Sequence, residues 1–337
     1  MELAPRRNLF LHVDVAAPLA LDHAALLRAA AQQTTDELAV FVSLADVARI
    51  SESAGWSQMQ RRVAEIYAAA APDGAEAQAL DGPETDVLLL DFCAYTPDDM
   101  APYMHHITWA TPADCLALPG WWPPQMRATV VARHPEGLSN NSATAAQNGQ
   151  QQQQQQQQRT TRTPLPWTSF SHVAVGGTFD HLHIGHKILL TATALATTSR
   201  VLCAISAEPL LANKRHRDQL EPYRTRELNV LLFLRRIRKD IIVELAPLTD
   251  IYGPTATDGS ITALVVSQET LPVSAALNVR RAENALPPMC LLPIDLLDVG
   301  DGSGPVSIST TTNSARKISS TAIRAALAER QRAGGSQ

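Results

Sequence analysis

Several absences bound this sequence before any motif is read. Its four cysteines, Cys93, Cys115, Cys203 and Cys290, lie far apart and form no C-x-x-C pair. That spacing argues against a disulfide scaffold or zinc ribbon and for a reducing compartment. No stretch approaches the ~18 consecutive apolar residues of a membrane span. The apolar run after Arg6 and Arg7 is interrupted by His12 and Asp14, too early for a signal peptide, and Glu2 and Asp14 disfavour a mitochondrial presequence. Neither a membrane nor a nucleic-acid partner is expected, and the expected location is the cytoplasm. Lysine is missing altogether from residues 1–136.

That last gap belongs to a wider asymmetry. The chain has 337 residues, 45% of them apolar, which is enough for packed cores and, at about 100–200 residues per domain, for roughly two domains. Its formal charge of −5 divides unevenly. Residues 1–136 carry 8 basic and 18 acidic side chains (−10), whereas residues 137–337 carry 20 and 15 (+5). Opposite signs suggest two units with different jobs, and an anionic ligand should be sought in the basic one.

Low-complexity sequence marks the boundary. From Gly137 to about Pro166 the chain is built of Ser, Asn, Thr, Ala and Gly around an unbroken glutamine run, Gln150–Gln158, closing with Pro164 and Pro166. Too little apolar surface is available there to offset ordering entropy, so residues 137–166 read as a disordered linker rather than a polyglutamine interaction segment. Residues 1–136 are then one domain and 167–332 the other.

Periodicity predicts strands at Leu9–Val15, Leu38–Ser43 and Asp86–Phe92, alternating with helices at Asp22–Ala31 and Ser57–Ala71. This is a small α/β layer, with Trp109, Trp121 and Trp122 expected to pack in its core or at an interface. After the linker, strands are expected at His172–Gly176, Val201–Ile205, Ile241–Leu245, Leu264–Ser267 and Cys290–Ile294. Helices are expected over Ile184–Thr197, Pro222–Lys239 and Ser320–Arg330. The expected class is therefore α/β: a doubly wound, Rossmann-like parallel sheet preceded by a smaller α/β domain. Ligands of such sheets bind beyond the carboxyl ends of the strands.

The first strand after the linker runs into Gly176-Gly177-Thr178-Phe179-Asp180-His181-Leu182-His183-Ile184-Gly185-His186-Lys187. Glycines after a strand permit a sharp turn and close approach of a ligand, and the free N–H groups of the next helix point at the same place. The spacing matches neither G-x-x-x-x-G-K-[ST] nor G-x-G-x-x-G, which disfavours a P-loop kinase or a standard dinucleotide dehydrogenase. His181, His183 and His186 are close enough together to suggest a metal, but no cysteine or carboxylate beyond Asp180 completes a set, so no protein metal site is expected. About 135 residues downstream, Arg316-Lys317-Ile318-Ser319-Ser320-Thr321-Ala322-Ile323-Arg324 places hydroxyls at a helix start. By itself this is an ordinary N-cap. Paired with the first motif it reads as a second anion site, with Arg324 one turn on as a fork for phosphate oxygens.

T-F-D-x-x-H-x-G-H together with I-S-S-T-x-x-R resembles the HIGH-motif nucleotidyltransferase superfamily and, within it, the phosphopantetheine adenylyltransferases of the eukaryotic, fungal-like kind. Leu210–Lys214, Glu221-Pro222-Tyr223 with Arg226, Pro247–Asp250 with Gly253-Pro254, and Val265–Thr270 with Asn278 and Arg281 extend the likeness over about residues 170–330. The resemblance implies transfer of AMP from Mg-ATP to 4′-phosphopantetheine, giving dephospho-CoA and pyrophosphate without a covalent enzyme intermediate. It implies catalytic roles for His186, Lys214 and Arg324. ATP would be bound by Gly177, Phe179, His183, His186, Ser319, Ser320, Thr321 and Arg324, and the acceptor by Thr178, Lys214 and Arg281. Mg²⁺ would arrive with ATP.

Two departures stand out. Ser267-Gln268-Glu269-Thr270 occupies the place of bacterial phosphate-binding arginines, leaving Arg281 to supply the charge, and Val273–Ala276 replaces the glycines usual in eukaryotic relatives. Animal relatives fuse this domain to a dephospho-CoA kinase. No P-loop follows here, so the reaction is expected to stop at dephospho-CoA. The alternatives are an adenylyl- or cytidylyltransferase for another phosphorylated small molecule, or a non-catalytic scaffold binding protein partners through residues 1–136.

Overall fold

A computed structural model describes residues 4–45, 52–71, 82–104, 107–109, 168–268, 270–294, 296–298, 307–309 and 319–334. The expected linker, Cys115, Trp121, Trp122, the side chain of Trp109 and residues 316–318 lie outside that description.

The first unit alternates β1 (Ala4–Asp14), α1 (Leu21–Gln32), β2 (Thr34–Ala45), α2 (Glu52–Ala69), β3 (Glu84–Leu89), α3 (Pro97–Met104) and β4 (Ile107–Trp109). Its strands lie in the order β3-β2-β1-β4, all parallel. The second unit runs β5 (Phe170–Gly177), α4 (Ile184–Ala196), β6 (Thr197–Ser206), α5 (Tyr223–Ile237), β7 (Ile242–Leu248), β8 (Ala263–Ser267), α6 (Leu271–Glu283) and β9 (Cys290–Ile294). Its five parallel strands are ordered β7-β6-β5-β8-β9. The hairpin β10 (Leu296–Asp298) and β11 (Ser307–Ser309) and the helix α7 (Ser320–Gly334) follow.

The described sheets are α/β and doubly wound, as the periodicity predicts. Periodicity does not predict α3, β4, the hairpin or α6. α6 covers Val273–Ala276, and Pro272 in its first turn suits a helix start. In the second sheet, the chain leaves β5 toward β6 on one side and reaches β8 on the other. The crevice of such a sheet therefore opens at the carboxyl end of β5.

The two sheets are not separate globules. α4 is apolar on nearly every side, and such a helix is stable only when buried all round. Ten of its 13 residues are buried. It packs on β5, β6 and β8 and, on another face, on α2 of the first unit, while α5 touches β3. One buried cluster joins Leu9, Leu11, Val40 and Tyr67 to Val173, Ile184 and Ile188. A second joins Phe10, Phe41, Leu88 and Tyr95 to Val175, Phe179 and Phe233.

Charge follows the same seam. Lys187 Nζ in α4 donates to Asp86 Oδ1 (2.7 Å), Thr85 O (3.0 Å) and Glu84 Oε1 (3.2 Å) of β3. Arg236 Nη1 in α5 lies 2.9 Å from Asp86 Oδ2 and also pairs with Glu37. Lys239 pairs with Asp99, and Tyr95 Oη donates to Arg236 O at 2.8 Å. Four carboxylates of the acidic part thus meet three cations of the basic part across this contact.

Among the described residues no helix is long and apolar enough to cross a membrane. Cys93 and Cys203 are buried free thiols, and burial pushes Cys93 up to about 12. Cys290 is a free thiol at the surface.

Candidate active site

β5 ends in the glycine pair and hands the chain to a loop held in unusual backbone. Phe179 and His181 have φ of +50° and +47°. Left-handed backbone at residues carrying a Cβ costs about 1–3 kcal/mol and persists only where the surroundings enforce it. Here they do. Phe179 and Asp180 are both fully buried. Asp180 Oδ1 accepts Glu221 N (2.9 Å), Glu221 Oε2 accepts His181 N (2.6 Å), and His181 Nε2 lies 2.8 Å from Gln219 O. Buried Arg226 donates to Thr178 O (2.7 Å), Ser206 O (2.9 Å) and Glu221 O (3.1 Å). A Cβ at Gly177 would stand 3.2 Å from the Phe179 ring, tighter than ordinary contact.

α4 begins directly after this loop. His183 is its N-cap residue but provides no side-chain cap. The first N–H groups of a helix have no intrahelical acceptor and form, with the macrodipole, a place for an anion. The His183 and His186 rings stack with centroids 3.9 Å apart, and His186 leans on Phe179 at 5.4 Å. His186 Nδ1 is buried without a hydrogen-bond partner. Its pKa is driven well below the ordinary histidine value, first by burial and then by His183, Lys214 and His181. The imidazole is therefore neutral near pH 7. Lys214 stands at the rim, its pKa lowered first by partial desolvation and then by Arg324, against the opposing pull of Asp180.

The downstream motif meets the upstream one here. Ser320 Oγ lies 3.4 Å from His183 Nε2, across 137 residues of sequence. Ser319 Oγ accepts Ala322 N at 3.3 Å, capping α7. Arg324 is 1% exposed and donates to Asp180 Oδ2 (2.5 Å), Arg215 O (3.0 Å) and Thr321 Oγ1 (3.2 Å).

Gly177, Thr178, Phe179, His183, His186, Lys214, Ser319, Ser320, Thr321 and Arg324 thus share one region. Three of the five donors of Arg324 are used inside the protein, where they fasten α7 to the loop after β5. Arg281 is a clear correction. It is 1% exposed and donates to the carbonyls of Thr255, Pro287, Asp258 and Ile261. It braces the loop before β8 and does not reach this cluster. The sequence motifs contain Asp180, Glu221 and Arg226 without giving them a role, and the structure makes them the fastenings of the loop.

Comparisons with known proteins bear on what this arrangement is. No family model matches the chain. A phosphopantetheine adenylyltransferase of Saccharomyces cerevisiae is 37% identical over 164 residues, 49% of this chain and 51% of that protein. The phosphopantetheine adenylyltransferase of Methanopyrus kandleri is 34% identical over 164 residues, 49% of this chain and 95% of that protein. The chain belongs to the phosphopantetheine adenylyltransferase family. A member from Methanothermobacter thermautotrophicus is 35% identical over 142 residues, 82% of its length. The chain spans about half the length of the yeast member, at 51%. The parallel, doubly wound second sheet fits the Rossmann-like fold of a nucleotidyltransferase.

Proposed function

We propose that the chain transfers AMP from Mg-ATP to 4′-phosphopantetheine, releasing pyrophosphate and forming dephospho-CoA, a step of coenzyme A biosynthesis. The observation that carries this reading is the meeting of the two motifs. Ser320 stands against His183, and Arg324 is paired with Asp180, at the carboxyl end of β5. Two helix N-termini, two imidazoles and a lysine converge there, a set suited to holding anions.

In the proposed step an oxygen of the acceptor phosphate attacks the α-phosphorus of ATP. The bond from that phosphorus to the bridging oxygen breaks, and pyrophosphate leaves with the electron pair. The neutral His186 ring donates an N–H to the α-phosphoryl oxygens as negative charge builds there. His183 lies along the nucleotide beside it. Thr178 and Lys214 receive the acceptor phosphate, and the hydroxyls of Ser319, Ser320 and Thr321 with the first N–H groups of α7 receive the pyrophosphate. Arg324 keeps those hydroxyls in place through Asp180. Mg²⁺ enters as part of the substrate. The nearby donors are nitrogens and hydroxyls, and the carboxylates of Asp180 and Glu221 are taken by Arg324 and by the loop backbone, so phosphate oxygens would be its ligands.

The test is a substrate panel on the full chain. ATP with 4′-phosphopantetheine should turn over, while CTP, or another phosphorylated small molecule in place of phosphopantetheine, should not. Preference for another nucleotide or acceptor would overturn the assignment. Coenzyme A appearing from dephospho-CoA and ATP would overturn the expectation that the reaction stops at dephospho-CoA.

A further inference from the structure

We infer that the first unit is a positioning element of the candidate active site, acting through Asp86 of β3 on Lys187, the residue that follows His186 in α4. The inference rests on the adenylyl-transfer reading for its catalytic consequence, although the positioning itself does not.

His186 has no hydrogen bond at Nδ1 to fix its ring. Its orientation comes from packing on Phe179 and His183 and from the backbone of the first turn of α4. Whatever places that turn therefore places the imidazole. Lys187 is 3% exposed, and an ammonium offers three donors. All three find acceptors on successive residues of one strand of the other unit, Glu84, Thr85 and Asp86. The ammonium also lies 5.5 Å from the centre of the Phe233 ring. Asp86, itself 2% exposed, turns its second oxygen to Arg236, so one carboxylate ties both α4 and α5 to β3. The neighbouring strand residue is fixed in turn, since Val87 N donates to Tyr67 Oη at 3.2 Å.

A buried ion pair is poor evidence of stability, because well-packed apolar groups often do as well. What this one supplies is registration. Sliding α4 along β3 by a fraction of a turn would strand a buried ammonium and a buried carboxylate together. Catalysis by positioning is sensitive on that scale, since a displacement of about 1 Å can cost about 10²-fold in rate. The lysine-free acidic half of the sequence thereby acquires a role, supplying the carboxylates that dock on the basic catalytic unit.

The experiment uses the full chain as wild type, Asp86→Asn, Asp86→Glu and Lys187→Met, with ring-¹⁵N-labelled histidine followed by NMR without substrates. Asp86→Asn and Lys187→Met should shift the His183 and His186 ring signals and leave His172 and His216 where they are. Asp86→Glu should return the signals toward wild type. In turnover, the two disruptive variants should lose about tenfold or more in kcat with KM for ATP within about twofold, and Asp86→Glu should recover most of it. Unmoved His183 and His186 signals in folded variants would overturn the inference. So would a loss of kcat that merely follows the unfolded fraction in near-ultraviolet circular dichroism. If Asp86→Asn does not fold, Lys187→Met decides, because it leaves Asp86 with Arg236 and no stranded ammonium. An inactive wild type would count against the reaction, and the NMR signals would still decide the positioning claim.

Discussion

The two units share one plan and differ at its edge. Counted from the first strand of each unit, both sheets are parallel and run third, second, first, fourth, the second sheet adding a fifth strand beyond. In the second unit the central strand ends in Gly176-Gly177, a left-handed loop, two stacked imidazoles and the open start of α4. In the first, the central strand ends in Asp14, whose exposed carboxylate accepts Ala16 N at 2.8 Å and closes a simple turn. An α/β layer is a scaffold, and the chemistry belongs to what is grafted at the strand ends. The first unit instead presents four carboxylates at the seam, where Asp86, Glu84, Glu37 and Asp99 face Lys187, Arg236 and Lys239.

The largest expected effect is on stability and separates the two strand ends directly. Asp180→Asn strands the buried guanidinium of Arg324 and should cost about 3–5 kcal/mol in urea unfolding. Asp14→Asn, at the corresponding place in the first unit, should stay within about 0.5 kcal/mol. Equal losses would erase the distinction between a built site and a turn. Next in size, His186→Ala should lower kcat by about 10²–10³-fold with little change in unfolding, as expected for one donor aimed at developing charge. Asp14→Ala should leave turnover unchanged.

Arg281→Met sharpens the same contrast inside the second unit. It should lose about 3 kcal/mol of stability, because buried carbonyls lose a charged donor, while KM for phosphopantetheine stays within about twofold. A selective rise in that KM would restore Arg281 to the substrate site. Gly185→Ala is subtler. Its new Cβ would meet the His183 ring at 3.1 Å. Helix propensity should gain up to about 1 kcal/mol while kcat falls about tenfold, a split that steady-state kinetics and thermal melts would show.

The smallest effect is a pH slope. The folded protein holds His186 below its unfolded value, so the unfolded chain binds more protons in the window between them. Stability contributed by this group is full above about pH 6.5 and falls as pH drops from there toward the lowered folded value. Denaturation midpoints across pH 7 to 5 should therefore fall more steeply in wild type than in His186→Asn.

Much of this is legible in residues alone, and for identifiable reasons. Alternating apolar runs predict the strands β5 to β9 because both faces of a parallel sheet are covered, and Gly176-Gly177 before a helix marks the strand end that matters. α6 escapes because Val273–Ala276 breaks the expected glycine pattern without announcing a helix, although Pro272 suits a first turn. Arg281 misleads because one of the adjacent pair Arg280-Arg281 looks like a charge available to a phosphate, and only the fold shows its carbonyl partners. The seam is half visible. Charge asymmetry gives its sign, and a lysine within the apolar stretch Ile184–Leu190 is a burial that demands a partner. Nothing in the sequence says that the partner is Asp86, because the two are 101 residues apart and meet only through tertiary packing.

We propose that the junction of the two motifs transfers AMP to phosphopantetheine. Phosphorus NMR of one incubation of the full chain with Mg-ATP and 4′-phosphopantetheine tests it most directly. ATP should be lost as pyrophosphate and dephospho-CoA rise in equal amounts, with no free AMP. ATP that persists unchanged, or that breaks down to AMP and pyrophosphate without dephospho-CoA, would contradict it.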